Sequence, residues 1–157
     1  MRSNPYIPAK KNDTCASMYH FSCLRVDRNE NGELHLIRSY NYPVSTWSWG
    51  LPGGGGEGEK PEIAAKRELA EETGITATKW EFLGKMRVSS GLMTEQMTVF
   101  LAQDLSFGER IEAEDKDLIS EGRFFSFKEI DDMITRGEID DTQTVTGLYL
   151  ARRHVDY

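Results

Sequence analysis

The spacing of hydrophobic and polar positions divides this chain into short strands and a few helices of one mixed domain. Residues 18–25 mix aromatic, β-branched and small apolar side chains and read as a strand. The stretch 27–32 (Asp-Arg-Asn-Glu-Asn-Gly) supplies turn chemistry. Residues 34–37 then alternate with Glu33, His35 and Arg38, which predicts the second arm of a hairpin. Residues 39–49 are rich in aromatics and broken by Pro43, so they read as an exposed connection ending in a strand. A glycine run, Gly53 to Gly56, predicts a loop, because four such residues in a row carry a high backbone entropy. From Lys60 to Thr73 the period turns helical, with Ile63, Ala64, Ala65 and Leu69 on one side, Pro61 in the first turn and Gly74 as the stop.

Further along, 80–86 and 97–102 read as strands and 105–117 as a long acidic connection. A short strand at 124–127 leads into a helix over 128–135. After Gly137, Asp141 is placed to cap a last helix through Ala151 whose apolar side holds Val145, Leu148 and Tyr149. Strands interspersed with helices predict an α/β sandwich with a mixed sheet rather than a doubly wound parallel one. The expected organisation is a polar arm over 1–14, with Pro5 and Pro8, followed by a single domain over 15–157.

Composition narrows the function classes. A net charge of −7 argues against a broad nucleic-acid-binding face, yet not against a phosphate substrate, because bound divalent cations invert the local field. Cys15 and Cys23 show no zinc spacing, and Cys23 reads as a core filler. No apolar leader and no window long enough to cross a membrane is present, so the expected location is cytoplasmic.

The chemistry concentrates between residues 53 and 75. On a helix starting near Lys60, Glu68, Glu71 and Glu72 stand at i, i+3 and i+4 and share one face. Three like charges there repel, and Arg67 offsets only part of that. A hard divalent cation with oxygen ligands, Mg²⁺ or Mn²⁺, supplies what is missing. The preceding glycines let backbone groups approach an ion or a phosphate without a Cβ in the way.

The segment GGGGEGEKPEIAAKRELAEETGI matches the Nudix motif, G-x5-E-x7-R-E-U-x-E-E-x-G-U with U a bulky aliphatic, at each defined position. These are Gly53, Glu59, Arg67, Glu68, Leu69, Glu71, Glu72, Gly74 and Ile75. The chain therefore resembles the Nudix hydrolases. That resemblance implies an α/β/α sandwich in which a loop–helix–loop binds divalent metal and a nucleoside diphosphate linked to another moiety is hydrolysed. It further implies Glu68 and Glu72 as the main metal ligands. Glu71 would be an additional ligand or a holder of metal-bound water, and a turn carbonyl, that of Gly53 or Pro52, would also touch the metal. Glu59 and Arg67 would orient the helix carboxylates.

Outside the motif, several pieces resemble the ADP-ribose and ADP-sugar pyrophosphatase branch. They are Tyr40-Asn-Tyr-Pro43, the run from Trp47 to Pro52, the loop from Ser90 to Glu95, the acidic loop from Glu112 to Asp117, and Gly137-Glu-Ile-Asp140 with Thr142 and Thr144. This branch implies hydrolysis of ADP-ribose or a related nucleoside diphosphate sugar, giving a nucleoside monophosphate and a sugar phosphate. Anhydride hydrolysis needs an activated water, and Glu112 is the first choice of base, with Glu114 the alternate. Arg38, Tyr42, Trp47, Arg87 and Glu95 are the candidates for substrate contact, with Tyr40 and Trp49 as further aromatic surfaces. Asn41 stands where many relatives have an arginine, and Gly50 where they have a glutamate. The resemblance also implies a homodimer, built through the sandwich body because the arm is short. Two other readings remain open. One is a Nudix pyrophosphohydrolase acting on nucleoside triphosphates, dinucleoside polyphosphates or RNA 5′ ends. The other is an idle domain that senses a nucleotide.

Overall fold

A computed structural model describes residues 21–155 except 56–57, 93 and 110–118. The elements run β1 (Phe21–Arg28), β2 (Leu34–Asn41), β3 (Thr46–Gly50), β4 (Gly53–Gly55), α1 (Pro61–Thr73), β5 (Ile75–Arg87), β6 (Gln96–Phe107), β7 (Ile119–Phe125), α2 (Phe127–Arg136) and α3 (Thr142–Val155). The seven strands form one sheet in the order β3-β2-β1-β6-β5, with β4 also pairing β1 and β7 pairing β2. β1 and β6 are parallel from Phe21↔Gln96 to Asp27↔Ala102, and the other pairings are antiparallel, so the sheet is mixed as expected.

Strand parity decides the layers. Along β6, Phe100 and Ala102 pack with Ala64, Ala65 and Leu69 of α1. The intervening Met97, Val99 and Leu101 pack with Ile130 and Met133 of α2 and Leu148 and Ala151 of α3. Successive strand side chains point to opposite faces. The sheet therefore lies between α1 on one side and α2 with α3 on the other, the α/β/α sandwich that the motif implied.

Several local expectations are corrected. The glycine run is not wholly loop, since Gly53, Gly54 and Gly55 pair with Leu24, Cys23 and Ser22. The aromatic stretch after Arg38 is a hairpin, with Arg38↔Trp49 and Tyr40↔Trp47 paired across β2 and β3 and a tight turn between them; Ser45 takes φ 54° there. Propensity around Pro43 hid this pairing, which depends on cross-strand contacts. β2 is not half-exposed at its start, because His35 is buried together with Leu34, Leu36 and Ile37. Ile63 is 55% exposed, and the buried side of α1 is Ala64, Ala65 and Leu69. In α3, Val145 and Tyr149 face solvent while Thr144, Gly147, Leu148 and Ala151 are buried. A β-carbon at Gly147 would press on Leu51, so the helix approaches the sheet through its smallest residue.

The ends of the helices follow the predicted signals. Gly74 adopts φ 71° and donates to the Ala70 carbonyl, closing α1. The Asp141 carboxylate accepts from the Thr144 backbone N–H at 2.7 Å, opening α3. Among the described residues, no helix is long and apolar enough to cross a membrane.

Candidate metal and phosphate site

α1 carries its acidic face toward β4. Glu68 lies over Gly54, and a β-carbon on Gly54 would stand 2.5 and 2.6 Å from the two carboxylate oxygens of Glu68. A side chain at Gly54 would displace the Glu68 carboxylate from its present place, a close approach that the glycine run signals in sequence without saying which member serves it.

Arg67 gathers the surrounding charge. Its Nη1 donates to Glu71 Oε2 at 2.8 Å and lies 3.0 Å from Glu68 Oε1, its Nε is 3.4 Å from Glu59 Oε1, and its Nη2 reaches the Gly55 carbonyl at 3.5 Å. Burial on its own would lower the Arg67 pKa, but Glu68, Glu71 and Glu59 outweigh it and hold the guanidinium above its ordinary value. One arginine thus ties the glycine strand, the loop glutamate and the helix carboxylates together.

Among the described residues no three acidic, histidine or cysteine side chains stand together at ligand spacing. The donor set nevertheless fits a hard divalent ion. Glu68 is mostly buried, and Glu71 and Glu72 are on the same helix, half-buried. Glu59 Oε2 is buried with no hydrogen-bond partner among the described residues. A buried carboxylate oxygen without a donor is a costly arrangement that a cation or its water relieves.

The remaining candidates divide by place. Strand register puts Arg87 opposite Gln96, next to Phe21, at the sheet end where Ser22 pairs with Gly55. Arg87 and Glu95 therefore sit at the end of the sheet from which β4 leads toward α1. Arg38, Tyr42 and Trp47 do not join the acidic helix. Arg38 is paired across the sheet with Trp49, which packs against the core on the α2–α3 side. On that face Arg38 lies over Trp47 at 5.9 Å, and Tyr40 touches both Trp47 and Tyr42. The opposite face of the same hairpin carries Asn41 and Ser48, joined by an Asn41 Nδ2 donation to Ser48 Oγ at 2.8 Å. Sequence reasoning noted Asn41 only as a replacement for an arginine and did not join it to Ser48, although alternation with Tyr40 and Trp47 could have placed both on one face. Glu112 and Glu114 lie outside the described residues.

An acidic helix behind a glycine strand, clasped by arginine beneath a mixed sheet, is the arrangement of a Nudix domain. The NUDIX domain pattern matches residues 18–146, most of the chain, and the protein belongs to that family. It is 29% identical over 132 residues to the ADP-ribose pyrophosphatase of Mycobacterium tuberculosis, covering 82% of this chain and 64% of that protein. With the ADP-ribose pyrophosphatase of Bacillus subtilis it shares 31% identity over 116 residues, 73% of this chain and 63% of that protein. The chain thus spans a little under two thirds of the length of these relatives. Its fold is similar to that in a crystal structure of an ADP compounds hydrolase, with a TM-score of 0.78 at 25% identity over 87% of this chain and 73% of the other.

Proposed function

We propose that the protein is a divalent-metal-dependent pyrophosphohydrolase that cleaves the diphosphate linkage of ADP-ribose or a related nucleoside diphosphate sugar. The products are a nucleoside monophosphate and a sugar phosphate. The observation that carries this reading is the Glu68–Glu71–Glu72 face of α1 set against Gly54 and clasped by Arg67 and Glu59. The names of the relatives select ADP-ribose among the anhydrides such a face serves.

Glu68 and Glu72 would hold the ion, Mg²⁺ with Mn²⁺ as a substitute, assisted by Glu71 and by the backbone carbonyl of Gly53. When bound, it supplies Lewis-acid polarisation of phosphate oxygens and lowers the pKa of water. Arg67 offsets the repulsion among those carboxylates and, held in turn by Glu59, orients them. Arg87 meets a phosphate and Glu95 faces the substrate from the neighbouring loop. Glu112, with Glu114 as its alternate, takes the proton of the attacking water. The water oxygen then bonds to one phosphorus as the bond to the bridging oxygen breaks. Arg38, Tyr42 and Trp47 contact substrate only if it wraps around the β2–β3 hairpin to the face away from α1. The setting implied is a cytoplasmic homodimer.

The test is a panel of ADP-ribose, other nucleoside diphosphate sugars, nucleoside triphosphates, a dinucleoside tetraphosphate and a 5′-triphosphorylated RNA, run with Mg²⁺ and with Mn²⁺. Products are identified by mass. The expected result is AMP and ribose 5-phosphate from ADP-ribose at the highest kcat/KM. Preference for a triphosphate or an RNA end would move the substrate class, and tight binding without turnover across the panel would make the domain a sensor.

A further inference from the structure

One edge of the sheet carries an apolar surface that the proposed catalytic site does not use. β5 is the last strand in the order β3-β2-β1-β6-β5, thirteen residues long and without proline. Among the described residues no strand pairs its outer edge. Long open edges recruit further strands unless charge, proline or a bulge guards them. Here the Ala77 carbonyl is taken by the Trp80 indole N–H at 3.0 Å, and the register with β6 shifts between Phe82 and Gly84. Between those two irregularities, Lys79 to Phe82 runs in unbroken register.

Exposed apolar side chains border that run. Phe82 is 60% exposed, although it meets the buried Phe100 edge to face at 6.0 Å. Trp80 is half-buried beside Phe100, with Lys66 Nζ 5.6 Å from its ring centre. Helix α1 runs counter to β5, since Leu69 packs by Ile75 while Ala64 and Ala65 pack by Phe100, the strand partner of Phe82. The exposed Ile63, one turn before Lys66, therefore stands toward Phe82. Ile63, Trp80 and Phe82 line the border between α1 and the open edge.

The other side of the same run carries charge. Glu81 is held through Oε2 by His154 of α3 at 3.0 Å. Lys79 is exposed, with no carboxylate within ion-pair distance among the described residues. The two flank Trp80, one residue to each side. If β5 pairs antiparallel with a second β5 about a two-fold axis at Trp80, Lys79 of each copy stands opposite Glu81 of the other. Both cross-strand pairs are then of opposite charge. The two α1 helices fall on one face of the joined sheet, and the Ile63, Trp80 and Phe82 borders meet between them. Lys66, already paired with Glu62 at 2.6 Å, brings no unmatched charge there.

We propose that the open edge of β5 is the dimer interface, joining two copies of this chain antiparallel about Trp80 into one continuous sheet. A two-fold interface must be complementary to itself. A strand with Lys79 and Glu81 at equal distances from its centre meets that condition, and an unrelated partner would not require it. The proposal rests on the homodimer reading given above, whose surface it names, and is independent of the catalytic reading.

Sedimentation of the full-length protein over a range of concentrations tests it, with melting curves to confirm that each variant folds. The wild type should be a dimer with a Kd of about 1 µM or below. Lys79→Glu sets like charges opposite one another at both cross pairs and should weaken the dimer about ten-fold or more. Phe82→Ser should weaken it by about the same factor through lost apolar contact. Adding Glu81→Lys to Lys79→Glu reverses both signs and should restore the affinity to within about three-fold, because each cross pair is again of opposite charge. A wild type that stays monomeric removes the homodimer and this surface with it. A dimer indifferent to either Lys79→Glu or Phe82→Ser leaves the homodimer standing and overturns the β5 surface. Weakening by Lys79→Glu without recovery in the double variant overturns the two-fold register.

Discussion

Helices α1 and α2 are built by opposite logics, and the contrast locates the function. α2 satisfies each local rule for a helix. Ser126 caps it, Glu129 completes a reciprocal capping box, Lys128 and Asp132 pair at i,i+4, Arg136 lies in the last turn, and Gly137 closes it in the left-handed conformation. α1 breaks several of them. Its N-cap is Lys60, whose side chain makes no capping bond, its last turn holds no basic residue, and Glu71 and Glu72 sit at the negative end of the helix dipole. What holds α1 is tertiary: Ala64, Ala65 and Leu69 against the sheet, and Arg67 across Glu59, Glu68 and Glu71. A segment that local energetics disfavour and the rest of the fold supports is the expected home of a functional site.

Five substitutions, two of them a matched pair, sharpen or break this contrast. The largest effect should come from Glu72→Gln, which keeps the volume and removes one negative charge from α1. We expect kcat to fall by about 10²-fold or more at saturating metal, with the metal-free melting temperature unchanged or higher because like-charge repulsion is relieved. Near wild-type turnover would remove Glu72 from the proposed ligand set.

Next is Gly54→Ala, set beside Gly55→Ala. A β-carbon at Gly54 collides with the Glu68 carboxylate, whereas one at Gly55 meets nothing within 4 Å. Metal affinity, read by calorimetry, should therefore drop about ten-fold in the first, on the order of 1.4 kcal/mol, and hold in the second. Equal behaviour of the two would show that Glu68 moves aside without consequence.

Arg67→Met removes the clasp and keeps the aliphatic stem. Because Arg67 is about 37% exposed, its pairs are partly screened, and the expected loss is about 1 kcal/mol, a few degrees in the metal-free melting temperature. Saturating divalent metal should recover part of that loss, since the same oxygens then have another cation. A melting temperature indifferent to both substitution and metal would mean that the clasp does not support α1.

The smallest effect belongs to α2. Ser126→Ala should lower stability by about 1 kcal/mol and leave turnover per folded molecule unaltered. It should also change the response to acid. Glu129 is held below the usual glutamate pKa, first by its hydrogen bond from the Ser126 hydroxyl and then by the Ser126 backbone N–H. A depressed carboxylate contributes its stability above the unfolded-state pKa and loses it as pH falls through the folded value. Denaturant titrations between pH 7 and pH 3 should thus show a shallower acid-side decline in Ser126→Ala than in the parent. An identical decline would place the acid sensitivity in other carboxylates.

By itself, the sequence determined the pieces whose causes are local. The motif positions from Gly53 to Ile75 defined the family. Pro61 and Gly74 bounded α1, Gly137 ended α2, and Asp141 opened α3, because capping, dihedral preference and like-charge spacing act within about one helical turn. Only the tertiary structure decided which side of each element faces what. It turned Ile63 to solvent, drew Gly53–Gly55 into a strand against β1, and folded the aromatic stretch into a hairpin. It also separated Arg38 and Trp47 from the acidic helix while setting Asn41 and Ser48 on the other side of the same strands. The strand outcomes depend on register with a partner strand, about thirty residues away in the case of Gly53–Gly55. A shift of one residue in that register exchanges the two faces of a sheet, and no local signal in the chain fixes it.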